Sequence, residues 1–327
     1  MKLLKIAFWF VVIILVFIFV IPLFLPDNVQ IEAKTNIKAS PETVFRQLNS
    51  LKNWSNWSTW NQADSAMTVS YSGPDFGEGA VFNWKSKVLG NGQIKIVNSL
   101  AYSSVRNELD LGERGRAEDE WVFKKLGDSI QVTWNFRAIN LRYPLGKLNG
   151  LFLSVTMKSF QLEELAGLRD YCQKQPLPVS VNIIEVKPAK CISIADSATY
   201  TELSAKMEAG FTALFKKAEA QKGSITGAPF ALYYNWDTAE QIHYRLGLPI
   251  METKQLACDF TQEGGKALMA VMKGSYDQFE RYHNEIQLFA MENNLQLSGA
   301  PWEEYISGPG NTEDAANWET RIYYPVE

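Results

Sequence analysis

The stretch GAPWEEYISG, residues 299–308, reappears in altered form earlier in the chain as GAPFALYYN, residues 227–235. Both copies keep a Gly-Ala-Pro-aromatic frame followed by a tyrosine, but only the later copy carries the adjacent acids Glu303 and Glu304. Successive side chains of a β-strand face opposite sides of the sheet. A strand here therefore turns one carboxylate towards an aromatic interior and leaves the other for solvent.

The repetition continues around these segments and predicts a duplicated strand–helix–strand–strand unit. Each copy has a tyrosine, Tyr200 or Tyr276, directly before a helix with an apolar face. These faces consist of Leu203, Met207, Phe211 and Leu214 in the first copy and of Phe279, Tyr282, Ile286 and Phe289 in the second. Pro176 and Pro178 indicate a linker before the first copy. We therefore predict an α+β domain at residues 176–327.

A family resemblance is carried by the segments EVKPAKCISI, YTEL, MKGSYDQF, PWEEYIS and ETRIYYPVE. They resemble the GyrI-like small-molecule-binding domain, which is also the effector-binding domain of AraC-type and multidrug-sensing transcription activators. The resemblance implies a pocket between the repeats for planar, apolar and often cationic molecules, with Glu303 facing it and Glu304 facing away. A carboxylate among aromatic rings is costly to bury. A bound cation offsets that cost by pairing with the acid and stacking on the rings.

The predicted ligand-binding residues of this domain are the acid and the aromatic residues around equivalent positions of the two copies. They are Glu303, Trp302, Tyr305, Phe230, Tyr233, Tyr200 and Tyr276. Two alternatives remain open: both acids are exposed at a twisted strand end, or the aromatic residues only fill the core. Some relatives of this domain are hydrolases that use a Glu and a Tyr. The resemblance therefore also allows Glu303 as a general base assisted by Tyr305.

Residues 29–175 begin with a strand-like alternation and then a helix start, in which Ser40 is placed to cap and Pro41 takes the first helical position. Short strand candidates follow, and the alternation in SIQVTWNFRA, residues 129–138, predicts an antiparallel sheet with one buried side. A helical pattern from about Phe152 to Cys172 closes the segment.

The opening of this segment, IEAKTNIKASPETVFRQLNSLKNWSNWSTW, is similar to polyketide cyclase/dehydrase-type members of the START/Bet v 1-like (SRPBCC) superfamily. Trp54 and Trp57 fall on the W-x-x-W of that family. The resemblance implies a helix-grip fold, in which a curved sheet surrounds the last helix and leaves a cavity for an apolar ligand. The predicted ligand-binding residues are Trp57, Trp84, Trp121, Trp134 and Phe136. The alternative is that these rings simply fill the core.

Residues 1–28 are predicted to be a single-pass membrane anchor. The unbroken apolar run, residues 6–25, is long enough to span a bilayer core of about 30 Å at about 1.5 Å per residue. Lys2 and Lys5 precede the run, so the positive-inside rule predicts a cytoplasmic N-terminus and domains on the periplasmic or extracytoplasmic side of a bacterial membrane. A cleavable signal peptide is the alternative, although its apolar core is usually shorter, about 7–15 residues.

The charge is divided unevenly along the chain. Residues 1–179 carry 20 Lys and Arg against 16 Asp and Glu, whereas residues 180–327 carry 12 against 20. An acidic second half disfavours nucleic acid as a partner. The three cysteines and the histidines His243 and His283 show no metal-ligand spacing and no triad, so we expect no metal and no cofactor.

The first functional hypothesis is a membrane-anchored binding protein that senses, sequesters or carries small apolar or cationic molecules. No catalytic constellation is evident, so no catalytic residue is identified and the question of an enzyme stays open. A hydrolase or cyclase acting in one of the two pockets is one alternative. The others are a regulator-type effector domain without a DNA-binding module, and a structural module whose pockets are filled by its own side chains.

Overall fold

The computed structural model of the chain describes residues 2–60, 64–236 and 241–327. The chain divides into two compact units, Met1–Pro178 and Val179–Glu327. Each unit combines helices with an antiparallel sheet. The predicted α+β class is thus confirmed.

The first unit begins with a long apolar helix. Helix α1 occupies Lys2–Leu15 and continues as the π-helical turn Val16–Val20 and the 3-10 turn Ile21–Phe24. By length and composition the stretch Lys5–Phe24, with a mean hydropathy of 3.2, is sufficient to cross a bilayer. Only 6% of this stretch is buried, so the helix adds little to the packed core.

Within the described residues, a seven-stranded antiparallel sheet forms the body of the first unit. Its strands are β1 (Val29–Ile37), β2 (Thr68–Ser72), β3 (Val81–Ser86), β4 (Gly90–Leu100), β5 (Ser104–Asp110), β6 (Arg116–Leu126) and β7 (Ser129–Ile139). The order is β1-β7-β6-β5-β4-β3-β2, so the first strand pairs with the last. Alternate residues of β7 are buried, as the sequence predicts, which gives the sheet one apolar face.

Two helices pack in the first unit. Helix α2, Pro41–Asn49, begins as predicted, because the Ser40 hydroxyl accepts a hydrogen bond from the Thr43 N–H at 3.1 Å. Helix α3, Leu145–Cys172, begins at Leu145 rather than near Phe152. The predicted start is wrong because two glycines with low helix propensity interrupt the first turns of the pattern.

Helix α3 also fixes the loop that follows the W-x-x-W motif. The Trp57 carbonyl oxygen would lie 2.4 Å from a Cβ at Gly167, so the approach of loop and helix requires glycine there. The buried Glu164 carboxylate accepts hydrogen bonds from the backbone N–H of Thr59 at 2.8 Å and from its hydroxyl. The tryptophan loop and the helix are therefore held together at two points.

The second unit contains the duplicated elements. They are β8 (Val181–Val186), β9 (Ala189–Ala198), α4 (Tyr200–Ala220), β10 (Ser224–Ile225), β11 (Phe230–Tyr233), β12 (Ile242–Met251), β13 (Phe260–Gln262), β14 (Gly265–Lys273), α5 (Phe279–Glu292), β15 (Trp302–Ser307) and β16 (Glu319–Pro325). In the part of the chain that is described, the sheet order is β13-β9-β12-β11-β15-β16-β14-β8, with β10 on β12. This order is symmetric about the central pair β11–β15.

The predicted strand–helix–strand–strand unit is present as β9-α4-β11-β12 and as β14-α5-β15-β16. Each copy has in addition a short leading strand, β8 or β13; the sequence predicts a strand directly after Pro178, where β8 lies, but does not predict β13. The leading strands are exchanged between the copies, since β8 pairs with β14 and β13 pairs with β9. Neither copy therefore completes its part of the sheet without the other.

Candidate functional site

The two copies meet at the antiparallel pair β11–β15. Ala231 lies opposite Glu303, and the flanking pairs are Phe230 with Glu304 and Leu232 with Trp302. In the repeat, Ala231 is itself the counterpart of Glu303, and Phe230 is the counterpart of Trp302. This register places a local two-fold axis between Ala231 and Glu303. The acid therefore lies on the axis that relates the two halves of the domain.

The register divides the predicted ligand-binding residues between the two faces of the sheet. Glu303, Tyr233 and Tyr305 share one face, whereas Phe230 and Trp302 lie on the other. The Trp302 ring stacks on Tyr323 with ring centroids 4.7 Å apart, inside a separate apolar cluster. The prediction that Trp302 and Phe230 accompany Glu303 is therefore wrong, because alternate residues of a strand point to opposite sides.

Glu303 is buried, with 1% exposure, and its carboxylate is fully engaged. Its Oε2 accepts hydrogen bonds from the hydroxyls of Tyr305 at 2.5 Å and Tyr233 at 3.1 Å. Its Oε1 lies 2.9 Å from Nε2 of His283. The neighbouring Glu304 is partly exposed on the opposite face and accepts a hydrogen bond from the Tyr323 hydroxyl at 2.8 Å. The prediction of one inward and one outward acid is confirmed.

His283 and Tyr324 extend the hydrogen bonds of Glu303. The Gln287 amide donates to the Tyr324 oxygen at 3.1 Å, and the same oxygen lies 2.8 Å from Nδ1 of His283. If Tyr324 donates to Nδ1, the imidazole carries its proton on Nε2 and donates it to Glu303. We call the five residues Glu303, Tyr233, Tyr305, His283 and Tyr324 the Glu303 cluster.

Aromatic rings surround the Glu303 cluster. Phe211 and Tyr276 pack edge-on against Tyr305, with centroids 5.7 and 6.1 Å away. Trp236 packs against Tyr233 at 4.9 Å and lies nearly parallel to the His283 ring at 6.4 Å. Trp236 is 53% exposed and the His283 side chain is 19% exposed, against 2% for Glu303. The cluster therefore reaches solvent through His283 and Trp236.

The tyrosines of the cluster stay protonated. Burial raises the pKa of Tyr233 and of Tyr305 well above the usual value, and the charge of Glu303 raises both further. Burial also raises the pKa of Tyr276. Near neutral pH the two hydroxyls are thus permanent donors to the carboxylate.

The equivalent tyrosines Tyr200 and Tyr276 have different surroundings. Tyr276 stacks on Phe279 at 5.2 Å and packs against Trp318 at 4.9 Å, next to the Glu303 cluster. Tyr200 begins helix α4 and is 62% exposed. The structure therefore brings Tyr276 to the site but leaves Tyr200 on the surface, where its side chain has little to pack against.

Sequence reasoning missed His283, Tyr324 and Trp318. A signal existed for His283, which follows Phe279 by four residues and precedes Ile286 by three, so it belongs to the predicted apolar face of α5. Its counterpart in the first copy, counted from Tyr200 and Tyr276, is Met207. The Met207 sulfur lies 3.8 Å from the Tyr233 hydroxyl. The two copies thus present an imidazole and a thioether to the same group of side chains.

In the first unit, four of the five predicted ligand-binding residues lie in one core cluster. Trp57, Trp84, Trp121 and Trp134 are each at most 6% exposed there, and Trp121 stacks on Trp134 with centroids 4.2 Å apart. Phe136 belongs to a second cluster of the first unit. The structure thus packs four of these rings together, and their role in ligand binding stays a prediction.

A buried acid lies beside the stacked tryptophans. Asp119 is 2% exposed and accepts a hydrogen bond from the Asn107 amide at 2.7 Å. Burial raises the pKa of Asp119 to about 7, against the opposing effect of Asn107 and of the Trp121 and Trp134 indoles. The Asp119 carboxyl in the interior of this unit therefore titrates close to neutral pH.

We expect Asp119→Asn to remove a pH dependence of stability. The folded pKa lies above the unfolded one, so the folded state binds more protons between about pH 4 and 7, and the free energy of unfolding falls across that range. The free energy of unfolding of Asp119→Asn does not fall in this way. Relative to the wild type it should rise by up to about 4 kcal/mol as the pH rises to 8. Denaturation followed by tryptophan fluorescence from pH 4 to 8 measures the difference.

The matched control is Asp128→Asn, since Asp128 is an exposed acid of the same sheet whose side chain is 77% exposed. It should leave the pH profile unchanged. Identical profiles for Asp119→Asn and the wild type would show that the buried acid does not titrate in this range.

We expect Ala231→Glu to destabilise the second unit in a charge-dependent way. The new carboxylate would lie directly opposite Glu303 at a site with 0% exposure, and like charges in a cross-strand pair repel. At pH 8 the free energy of unfolding of Ala231→Glu should be lower than that of the neutral control Ala231→Gln by more than about 3 kcal/mol. The difference should shrink as the pH falls and one carboxyl binds a proton. Equal unfolding free energies for the two variants at every pH would contradict this expectation.

Comparison with known proteins finds a family match for the second unit. Residues 180–327 match the family described as the GyrI-like small molecule binding domain. Among curated proteins, none matches the sequence. Similar solved structures include the C-terminal domain of EcmrR, which is 18% identical with a TM-score of 0.38 over 46% of this chain and 98% of that one. The EcmrR–DNA complex is 18% identical with a TM-score of 0.42 over 56% of this chain and 70% of that one.

Protein CV1439 from Chromobacterium violaceum is 11% identical with a TM-score of 0.35, over 45% of this chain and 98% of that one. The family match covers both copies of the repeat and the whole Glu303 cluster. Residues 180–327 of this chain are thus similar to the GyrI-like small molecule binding domain.

Proposed function

We propose that the chain is a membrane-anchored binding protein for small apolar or cationic molecules and that the Glu303 cluster is its ligand site. The observation that carries this proposal is the buried Glu303 carboxylate, which is saturated with hydrogen bonds and surrounded by aromatic rings. It lies in a domain of small-molecule-binding type.

The charge of the cluster favours a cationic ligand. Glu303 is the acid of the cluster and lies in a poorly solvated place, where the attraction of a carboxylate to a cation is stronger than in water. The faces of Tyr276 and Trp236 add the attraction of aromatic rings for cations. A planar cation satisfies both features at once.

The two oxygens of Glu303 have different roles in this proposal. Oε2 is held by Tyr233 and Tyr305, one from each copy, and both hydroxyls are buried. Oε1 is held by His283, whose side chain is 19% exposed. A ligand cation takes the place of the imidazole at Oε1, and Trp236 lies over the path by which it arrives.

A hydrolase is the second candidate, and the contact between His283 and Glu303 is the observation that favours it. A histidine oriented by a carboxylate is a common general base. Both ring nitrogens of His283 are already in contact with a partner, however, Nδ1 with Tyr324 and Nε2 with Glu303, so neither is left for a water molecule. This arrangement favours binding over turnover. A regulator function has no support from a DNA-binding module in the described residues.

Membrane anchoring by Lys5–Phe24 is part of the proposal. Lys2 and Lys5 precede the apolar run, so the proposed orientation keeps the N-terminus in the cytoplasm and residues 29–327 outside it. The site then samples compounds outside the cytoplasm.

We expect Glu303→Gln to remove the preference for charged ligands. The probes are N-methylquinolinium and 1-methylnaphthalene, which share size and shape but differ in charge. The wild type should bind the cation about 10–100-fold more tightly, equivalent to about 1.4–2.7 kcal/mol, and the variant should bind both alike. Quenching of tryptophan fluorescence measures both affinities.

Glu304→Gln is the control, because Glu304 is an acid on the same strand whose side chain faces the other side. It should keep the wild-type preference. Equal affinity of the wild type for the two probes, or an unchanged preference in Glu303→Gln, would argue against the proposed site. Turnover of an ester or epoxide probe that is lost in His283→Gln would instead favour the hydrolase.

The orientation is tested by a reporter fused after Glu327. A reporter that is active only outside the cytoplasm should work in this fusion, and one active only in the cytoplasm should remain silent. The opposite result would reverse the proposed sidedness. Recovery of a shortened protein in the soluble fraction would identify residues 1–28 as a cleaved signal peptide.

A further inference from the structure

We infer that the first half of helix α3 lies on the bilayer surface and that the first unit is therefore docked on the membrane. This inference rests on the proposed anchoring by Lys5–Phe24. The surface concerned, called here the α3 patch, consists of Tyr143, Leu145, Leu151, Phe152 and Val155. Its partner is the lipid headgroup and upper acyl region.

The α3 patch is apolar and exposed. Its members have exposures of 48%, 61%, 47%, 67% and 69% in chain order. On a helix, Leu151, Phe152 and Val155 are neighbours on one side, because residues three and four apart adjoin. A different side of the helix carries the buried Gly150, Leu165 and Leu168, whereas Leu148 lies on the side of the patch and is itself buried. The patch is thus a coherent helix face and not a set of scattered side chains.

Contacts within the first unit join this face to the end of the apolar helix. The Tyr143 hydroxyl donates to the Phe19 carbonyl at 2.6 Å. The Lys147 ammonium donates to the Leu25 carbonyl at 3.0 Å and pairs with Asp27 at 2.6 Å. Phe19 lies inside the candidate span, so Tyr143 reaches the depth of the span itself. Tyrosine is enriched at this membrane interface.

The patch begins close to the end of the span. From Lys147, which contacts the end of the span, Phe152 and Val155 lie about 8 and 12 Å further along the helix at about 1.5 Å per residue. Because the α3 patch is continuous with the span, we expect lipid rather than a protein partner to cover it.

The other end of the sheet must then point away from the membrane. Strand β1 leaves the span at Val29 and ends at Ile37, about 26 Å away at about 3.3 Å per residue. Ile37 pairs with Ile130, next to the turn between β6 and β7, and Leu126 is the last residue of β6 before that turn. Leu126 is exposed but lies far from the span, so it serves as the internal control.

The test uses the full chain in phosphatidylcholine–phosphatidylglycerol vesicles, with Cys258→Ser to remove the cysteine that is not buried. An environment-sensitive nitrobenzoxadiazole dye is attached at Phe152→Cys or, as control, at Leu126→Cys. The dye at position 152 should show blue-shifted emission and strong quenching by doxyl-labelled lipids. The dye at position 126 should emit as it does in water and show little quenching. Thermal unfolding of both labelled proteins should match the unlabelled chain.

The outcomes separate this inference from the proposed anchoring. If the chain does not float with the vesicles, the anchoring proposal fails and the inference fails with it. If the chain floats but the dye at position 152 behaves like that at position 126, only the inference is overturned. A blue shift at position 152 without doxyl quenching would also overturn it, since protein rather than lipid would then cover the α3 patch.

Discussion

The second unit depends on one cross-strand pair, Ala231 with Glu303. The pair lies on the local two-fold axis, where each copy of the repeat meets its own counterpart. Two acids there would face each other in a buried pair, and two small residues would leave the hydroxyls of Tyr233 and Tyr305 without their acceptor. One carboxylate opposite one methyl group avoids both problems. The same constraint explains why the duplicated frame carries acids in only one copy.

The buried carboxylate is stable because both copies donate to it. A buried charge without partners costs several kcal/mol, whereas a charge with several short hydrogen bonds is tolerated. The donors come from β11, β15 and α5, so the cluster requires that both halves are folded and joined. The exchange of the leading strands has the same effect on the sheet. The same contacts therefore hold the Glu303 carboxylate and join the two halves of the fold.

Much of this arrangement was predictable from the residues, and the misses have physical causes. The repeated Gly-Ala-Pro-aromatic frame predicted the duplication, and the family motif singled out Glu303 as the inward acid. Trp302 and Phe230 were assigned to the wrong face because nearness in sequence was taken for nearness in space, against the two-residue period of a strand. The exchanged strand β13 is short, so its pattern is weak.

The histidine of the cluster was overlooked for a different reason. Two histidines without ligand spacing suggest no metal or triad, but a single histidine on an apolar helix face is well suited to bond a buried acid from another element. That partnership depends on the distance between α5 and β15, which a sequence does not contain. The helix-grip identity of the first unit and its ligand-binding role stay predictions, although α2, α3 and the seven described strands follow the expected order.

The pairing of Met207 with His283 across the axis has a stereochemical consequence. A perfectly duplicated site would accept an unsymmetrical molecule in two opposite orientations of equal energy. Here one flank offers a polar imidazole to Glu303 and the other offers a soft, polarisable thioether beside Tyr233. The two orientations of a ligand at the proposed site would therefore not be equivalent. The pair of Met207 and His283 adds to the difference between the copies that Ala231 and Glu303 already make.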